Sequence, residues 1–151
     1  MEINSKKFTT QQPYFDVDGT LGRLAKWLRI LGFDAAYPRS VPSPGRYFVT
    51  PRELSGDPRV VTVTAKDPMQ QLKQVLSELE LRADPDRFFT RCVICNVPVI
   101  EIPRTQVVGR VPKMIIRMKS EFHECPKCGR IYWEGSHLGR IKRRLESSSI
   151  D

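Results

Sequence analysis

Hydrophobic residues recur with a helical period near the start of the chain. Between residues 20 and 31 they occupy the i, i+3, i+4 and i+7 positions of an amphipathic helix. Gly32 follows, at a position where helices commonly end. The pattern predicts a helix with one apolar face, made of Leu21, Leu24, Ala25, Leu28 and Leu31. The other face carries Arg23, Lys26 and Arg29, which fit either solvent exposure or contact with phosphate.

Short apolar runs typical of strands lie on both sides of this helix. The candidates are residues 14–17, 33–37, 46–50 and 59–64. A strand, helix, strand order predicts a parallel sheet. Asp67 and Pro68 then begin a second helix, with Asp67 as its cap. The apolar face of this helix consists of Leu72, Val75, Leu76 and Leu79.

Two Cys-x-x-Cys pairs mark the second half of the chain, Cys92 with Cys95 and Cys125 with Cys128. Two such turns can place four thiolates around one ion at a Zn–S distance of about 2.3 Å. Disulfides are disfavoured in a basic chain without a secretion signal. The spacing therefore predicts a structural zinc site. Because four thiolates saturate zinc, His123 and His137 are predicted not to be ligands.

The residues around the second cysteine pair predict a zinc ribbon. Residues 121–124 and 130–133 form candidate strands joined by the turn Cys125-Pro126-Lys127-Cys128-Gly129, and residues 97–102 supply a third. Tyr132 and Trp133 fit either packing beneath the cysteine turns or stacking on bases. With so small a core, the ribbon is expected to unfold without metal.

The charge of the chain is uneven. All 151 residues together carry 25 Lys and Arg against 17 Asp and Glu, a net charge of +8. Up to Thr90 the two counts are 13 and 11, and from Arg91 onward they are 12 and 6. Four zinc-bound thiolates reduce the excess in the second half without removing it. The basic half fits either a solvated face or a nucleic-acid partner.

The run Asp16-Val17-Asp18-Gly19-Thr20-Leu21 is similar to the first loop of haloacid-dehalogenase-type phosphatases, in which one aspartate attacks phosphorus. The residues before it make a poor apolar strand, and too few residues remain before the first cysteine pair for such a fold. A phosphatase of that type is therefore disfavoured.

A longer series of motifs runs along most of the chain. It comprises residues 15–34, Asp67-Pro68 with Gln71-Leu72, residues 89–96, Arg110-Val111-Pro112 and residues 121–137. In this order the series resembles the mut-7 C-terminal RNase domain family. The resemblance implies a small PIN-like three-layer α/β domain with a parallel sheet, followed by a four-cysteine zinc ribbon.

The resemblance also implies a site. PIN-like nucleases gather several carboxylates at the carboxyl ends of parallel strands, where they hold Mg²⁺ or Mn²⁺ and activate water. By family position, Asp18 is the best-matched carboxylate, and Asp34 and Asp67 match further positions. Asp67 also fits a helix cap, and Asp34 a loop residue. An active enzyme of this kind would be a Mg²⁺- or Mn²⁺-dependent endoribonuclease.

Two departures from the family pattern weaken this site. Residues 38–45 have no carboxylate where the family has an acidic helical stretch. Thr50-Pro51-Arg52-Glu53 lacks the usual aspartate and places an arginine near the expected metal. Asp16 and Glu53 are the other candidates, and Asp16 shares a strand face with Asp18. Both an active and a degenerate nuclease site remain open.

Three functions fit these features. The first is a metal-dependent ribonuclease, the second a non-catalytic RNA-binding protein associated with the ribosome or another RNP, and the third a protein-interaction adaptor. The first two take RNA as partner, held by basic residues of the ribbon half. The predicted phosphate contacts are Arg91, Arg104, Arg110, Lys113, Arg117, Lys119, Lys127, Arg130, Arg140, Lys142, Arg143 and Arg144.

These features divide the chain into four parts: an N-terminal arm (1–12), the PIN-like domain (13–88), the zinc ribbon (89–138) and a basic tail (139–151). The sequence has no apolar run long enough to span a bilayer, so no membrane partner is expected. Residues 1–13 lack the features of a signal peptide, which favours a cytoplasmic location.

Overall fold

Four parallel strands form the sheet of the N-terminal half. The structure is a computed structural model that describes residues 12–54, 56–134 and 136–147. The strands are β1 (Tyr14–Asp18), β2 (Asp34–Arg39), β3 (Tyr47–Thr50) and β4 (Val60–Thr62), in the order β2-β1-β3-β4. Helix α1 (Gly22–Ile30) connects β1 to β2, and α2 (Pro68–Glu78) follows β4. The predicted α/β class with a parallel sheet is confirmed, whereas the N-terminal arm lies outside the described residues up to residue 11.

The main hydrophobic core lies on one face of the sheet. Phe15 and Val17 alternate along β1 with polar residues, so both point to the same side, toward α1 and α2. Leu24 and Leu28 of α1 meet Leu72 of α2 there, and all three are fully buried. The predicted apolar positions of both helices are therefore buried, except Leu79, which is partly buried and packs against the same core.

Helix α1 ends where the sequence predicts. Gly32 has a φ of +96°, which residues other than glycine rarely adopt. A Cβ at this position would lie 2.5 Å from the carbonyl oxygen of Arg87. The segment before the ribbon therefore packs directly over the end of α1, and Phe89 N–H donates to the Ile30 carbonyl there.

The opposite face of the sheet is polar. Asp16 and Phe48 are fully buried there. The connection between β2 and β3 lies against Asp16 through the backbone of Ser43 and the side chain of Arg46. The Arg52 guanidinium carbon lies over the Phe48 ring, 5.7 Å from its centroid. In the described residues, the outer layer on this side is a connecting segment rather than a helix.

The ribbon half contains a second, antiparallel sheet. Its strands β5 (Ile100–Ile102), β6 (Phe122–Glu124) and β7 (Ile131–Tyr132) lie in that order, and the second cysteine turn joins β6 to β7. The short helix α3 (Lys113–Met118) lies between β5 and β6. A small core of Ile102, Val107 and Phe122 fills the ribbon, and the Trp133 ring packs on Phe122 with centroids 6.4 Å apart.

The last helix, α4 (Ser136–Ser147), returns to the N-terminal half. Leu145 is buried in the main core, and Ile141, one turn earlier, packs against it. The Arg144 guanidinium stacks 5.6 Å from the Trp27 ring centroid. The described part of the predicted basic tail is therefore a helix packed on the first domain. No helix in the described ranges has both the length and the apolar character to cross a bilayer.

Candidate metal centre and sheet-end pocket

The four cysteines converge on one point. Their Sγ atoms all lie within 4.8 Å of one another, and those of Cys92 and Cys128 are 3.8 Å apart. A tetrahedron with metal–sulfur bonds of about 2.3 Å has edges of about 3.8 Å. The sulfurs are therefore positioned to hold one metal ion with the geometry of a structural zinc site. His123 lies outside this cluster, as predicted, and the His137 side chain lies outside the described residues.

Hydrogen bonds prepare the sulfurs for a cation. Cys95 N–H donates to Cys92 Sγ at 3.4 Å, and Cys128 N–H donates to Cys125 Sγ at the same distance. Tyr132 O–H donates to Cys92 Sγ at 3.1 Å. Burial raises the pKa of Cys92, but the Tyr132 hydroxyl and backbone N–H groups outweigh it and bring the pKa to about 6. Because metal ligation requires thiolates, the surroundings of Cys92 favour metal binding. In the metal-free cluster, burial and the neighbouring thiols of Cys128 and Cys125 raise the pKa of Cys95 to about 12.

Arg29 fastens the first cysteine turn to the N-terminal domain. Its Nε donates to the Ala35 carbonyl at 3.0 Å, and its Nη1 donates to the carbonyls of Val93 and Ile94 at 2.9 and 3.3 Å. The interpretation of Arg29 as solvent-exposed or phosphate-contacting is wrong, because only 8% of its surface is exposed and its donors face these carbonyls. The periodic pattern marks a face but not what a later segment places against it.

Asp34 belongs to the same junction. Its Oδ1 accepts from Asn96 Nδ2 at 2.8 Å and from Arg46 Nη2 at 2.7 Å, while Ala35 N–H donates to Asn96 Oδ1. Asp34 pairs in register with Tyr14 at the amino end of the sheet. Asp18 is four residues further along β1, a strand length of about 13 Å. The structure does not bring Asp34 and Asp18 together.

Asp18 lies at the carboxyl end of β1, as the family position implies. Its Oδ1 accepts from Thr20 N–H and from the Thr20 hydroxyl, both at 2.9 Å, and its Oδ2 accepts from the Thr50 hydroxyl at 2.7 Å. Arg52 Nε is 3.5 Å from the same Oδ2. Burial raises the pKa of Asp18, but these hydrogen bonds and the Arg52 charge lower it below 3.8, so the carboxylate is ionised.

Asp18 also lines a pocket of about 480 Å³ at this end of the sheet. Two arginines line it as well: Arg39, whose backbone is in register with Asp18 at the end of β2, and Arg52 after β3. Asp18 is the one carboxylate among the residues that line the pocket. The remaining lining residues are Gly19, Thr20, Pro38, Ser40 and Pro51.

The other candidate carboxylates have different partners. Asp67 caps α2, with its Oδ2 accepting from the N–H groups of Met69 and Gln70, and it is not among the lining residues. Asp16 is fully buried against Arg46, whose Nε is 2.8 Å from Oδ1, and Arg39 Nε lies 3.5 Å from that oxygen. Glu53 is exposed. The described residues therefore contain no cluster of three carboxylates of the kind that holds a dication.

The depressed pKa of Asp34 makes a prediction about acid stability. Burial raises this pKa, but hydrogen bonds from Arg46 and Asn96 lower it below 3.8. The stabilisation is therefore fully present above the unfolded-state value near 3.8 and lost as the pH falls through the lower folded-state value. We expect Asp34→Asn to destabilise the protein at pH 6, and the difference from wild type in urea midpoints to shrink below about pH 4.

Wild type and Asp34→Asn both lose metal from the cysteines in acid. Comparing their urea midpoints at the same pH removes this shared effect. Glu78→Gln, an exposed change of the same chemistry in α2, is the matched control and should leave the midpoint unchanged throughout. A deficit in Asp34→Asn that stays constant down to pH 2.5 would contradict the linkage.

The family comparison agrees with this architecture. The family model described as Mut7-C RNAse domain matches residues 13–145. The chain belongs to this family. No curated protein and no solved structure is a significant match to it. The match spans both halves of the Mut7-C domain, so the sheet, the cysteine cluster and most of α4 fall within one family unit.

The basic residues of this Mut7-C domain differ in their surroundings. Arg91 and Arg110 hold the cysteine turns: Arg91 Nη1 donates to the Asn96 carbonyl, and Arg110 Nη2 donates to Glu124 at 2.6 Å and to the Gly129 carbonyl at 3.0 Å. Arg104 donates to the Ile116 carbonyl. Arg104 and Arg110 are nevertheless exposed. The other exposed cations of the ribbon half are Lys113, Arg117, Lys127, Arg130, Arg140, Arg143 and Arg144, with Lys119 and Lys142 half-buried.

The carboxylates of the Mut7-C domain do not fit a dication. Mg²⁺ requires several hard oxygen ligands in near-octahedral geometry. Among the described residues that line the sheet-end pocket, Asp18 is the one carboxylate, and both of its oxygens already accept hydrogen bonds. Two guanidinium groups line the same pocket. The site predicted from sequence did not include Arg39, Arg46 and Thr50, which contact the aspartates. Arg39 and Thr50 end β2 and β3, and Arg46 lies just before β3. Only the arrangement of the strands brings these residues to the aspartates, because they are far apart in sequence.

Proposed function

We propose that the protein is an RNA-binding member of the Mut7-C family, with zinc as the ion of its cysteine site and a sheet-end pocket that has lost the ligands for catalytic Mg²⁺ or Mn²⁺. The pairing of its sheet carboxylates with Arg39, Arg46 and Arg52 carries this proposal. A buried carboxylate held by a guanidinium is neutralised without a metal ion. The proposed setting is the cytoplasm, on ribosomal RNA or another RNP.

The exposed cations of the ribbon half are the proposed contacts to RNA. Lys113 and Arg117 are four residues apart on α3, so they lie on the same side of that helix. Arg140 and Arg143 are on the outward side of α4, because Ile141 and Leu145 face the core. Phosphate contacts of this kind give affinity without sequence preference. Arg91, Arg104 and Arg110, whose side chains donate to backbone carbonyls, stabilise the ribbon half that carries these contacts.

Neutralising two exposed cations is expected to weaken RNA binding, and the loss should be largest at low salt. Each phosphate contact to single-stranded RNA contributes a slope of about −0.7 in log affinity against log salt, or roughly fivefold in affinity at 0.1 M. We expect the double variant Lys113→Gln/Arg117→Gln to bind about 25-fold more weakly at 0.1 M salt and to lower the magnitude of the slope by about 1.4. Fluorescence anisotropy of a labelled RNA between 0.05 and about 0.3 M salt measures both quantities.

The matched control is Lys66→Gln/Arg82→Gln, which removes two exposed cations from the N-terminal half. It should retain the affinity and the slope. An equal loss in both double variants, or an affinity that does not change with salt, would count against these contacts. Co-purification with a protein but no RNA binding would instead favour an adaptor.

A ribonuclease is the second candidate, favoured by the family match and by the position of Asp18 at the carboxyl end of β1. Incubation of the same RNA with Mg²⁺ or Mn²⁺ distinguishes the two. Cleavage that is absent in Asp18→Asn would support the ribonuclease, and binding without cleavage above that variant supports the proposal above.

A further inference from the structure

Two arginines flank Asp18, the one carboxylate among the residues that line the pocket at the carboxyl end of the parallel sheet. Arg39 ends β2 in register with Asp18, and Arg52 follows β3. We propose that this pocket binds a phosphate group of a nucleic-acid strand through Arg39 and Arg52. The proposal rests on the proposed RNA-binding function and adds to it the chemistry recognised at the sheet end, a site separate from the basic residues of the ribbon half.

Neighbouring groups anchor both arginines while leaving donors available. Arg52 places Nε 3.5 Å from Asp18 Oδ2 and donates from Nη2 to the Ser40 carbonyl at 2.8 Å. Arg39 places Nε 3.5 Å from Asp16 Oδ1. Each side chain is 51% exposed. A guanidinium has five N–H donors, so each arginine retains donors for a ligand while its stem is held.

Asp18 does not cancel this positive charge. The pocket lining contains two arginines and one aspartate, a net charge of +1. Both Asp18 oxygens are engaged by the N–H and hydroxyl of Thr20 and the hydroxyl of Thr50. The Asp18 carboxylate therefore holds Thr20, Thr50 and Arg52 in place. An anion that enters the pocket contacts the guanidinium groups.

Helix α1 adds to the attraction. It begins at Gly22, immediately after the pocket residues Gly19 and Thr20, and it has nine residues. Its N-cap residue, Leu21, makes no side-chain cap, and its first turn has no acidic residue. The first N–H groups of a helix and its dipole favour an anion at this end. The same features oppose a dication.

The effect of Asp18→Asn on binding has opposite signs for a phosphate pocket and for a metal site. Asp18→Asn removes a negative charge while the amide can still bond the threonines. If Asp18 were a metal ligand, this variant would abolish metal binding at this end of the sheet, and with it any phosphate binding that depends on the metal. For a phosphate pocket we expect the opposite: inorganic phosphate binds about fivefold more tightly, the effect of removing one like charge at about 4 Å in water-like surroundings.

The probe is inorganic phosphate, titrated into the zinc-loaded protein at constant ionic strength while NMR follows the arginine Nε–H and backbone signals. Phosphate should shift Arg39, Arg52 and Thr20, and the double variant Arg39→Gln/Arg52→Gln should lose at least tenfold in affinity. Arg59→Gln is the matched control, because Arg59 stacks on Tyr47 outside the pocket lining. Its phosphate affinity should equal that of wild type. Weaker phosphate binding by Asp18→Asn, or shifts confined to other residues, would overturn the proposal.

RNA with a 5′-phosphate, a 3′-phosphate or hydroxyl ends identifies the source of the group. A preference for one phosphorylated end that disappears in Arg39→Gln/Arg52→Gln assigns a terminal phosphate. An equal loss for all three RNAs assigns an internal phosphodiester, and either result supports the pocket. RNA binding that is unaffected by the double variant, with no phosphate shifts, overturns the pocket and leaves the proposed function intact. If phosphate shifts these residues but the protein does not bind RNA, the pocket is supported and the proposed function is overturned.

Discussion

Chelation of the metal is expected to unfold the ribbon and loosen its attachment to the N-terminal domain. The strands β5, β6 and β7 have two or three residues each, and their buried core is Ile102, Val107 and Phe122. So small a core contributes only a few kcal/mol, whereas a structural zinc site contributes on the order of 10 kcal/mol. Circular dichroism and limited proteolysis during a chelator titration should show loss of the ribbon at about one equivalent of metal removed.

The effect should reach the first domain. Arg29 donates to the carbonyls of Val93 and Ile94, and Asp34 accepts from Asn96. When the first cysteine turn loses its shape, these buried groups lose partners, at a cost of about 1–3 kcal/mol. We therefore expect the urea midpoint of the sheet, followed through backbone amides of β1 and β3, to fall as well.

Cys128→Ser tests the same centre without a chelator, and the exposed neighbour Lys127→Ser is its matched control. The cysteine variant should behave as the chelated protein, and the lysine variant as wild type. Restoring zinc should rescue the chelated protein but not Cys128→Ser. An unchanged circular dichroism spectrum and proteolysis pattern after complete chelation would show that the ribbon folds without metal.

Arg46→Met is expected to destabilise the N-terminal domain by about 3–5 kcal/mol. Arg46 Nε donates to Asp16 at 2.8 Å, and its Nη2 donates to the Phe15 carbonyl and to Asp34. Methionine keeps the apolar stem. Among the described contacts of Asp16, which is fully buried, Ser43 N–H at 3.0 Å and the more distant Arg39 would remain. Urea denaturation at pH 7 measures the loss.

The second variant of the cycle isolates the charge. Adding Asp16→Asn to Arg46→Met removes the unpaired buried carboxylate, so we expect part of the lost stability to return. Arg59→Met is the control for loss of an exposed arginine stacked on an aromatic ring, and it should cost less than about 1 kcal/mol. A double variant less stable than Arg46→Met alone would mean that Asp16 is not the source of the cost.

Local sequence was sufficient for elements whose partners are near in the chain. The apolar positions of α1 predict its buried face, and Gly32 predicts its end. Each Cys-x-x-Cys turn is a local structure with hydrogen bonds inside the motif, so the metal centre follows from the spacing. For Tyr132 and Trp133, local sequence fits either packing or base stacking. The structure has Tyr132 bonded to Cys92 and Trp133 packed on Phe122.

Local sequence patterns do not predict the surroundings of the candidate active site. Asp16, Asp18 and Asp34 all fit a carboxylate cluster when read along the chain. Their environments are set by strand register, which pairs Tyr14 with Asp34 and Asp18 with Arg39. Arg46 reaches Asp16 and Asp34 across the sheet from a different connection.

By itself, the sequence determined the α/β class, the cysteine cluster and the family, because periodicity, spacing and ordered motifs are properties of neighbouring residues. Only the tertiary structure decided that Arg29 faces the first cysteine turn and that arginines face the sheet carboxylates. The physical reason is that charge pairing at a sheet edge depends on which strands become neighbours and in what register, and residues many positions apart decide both.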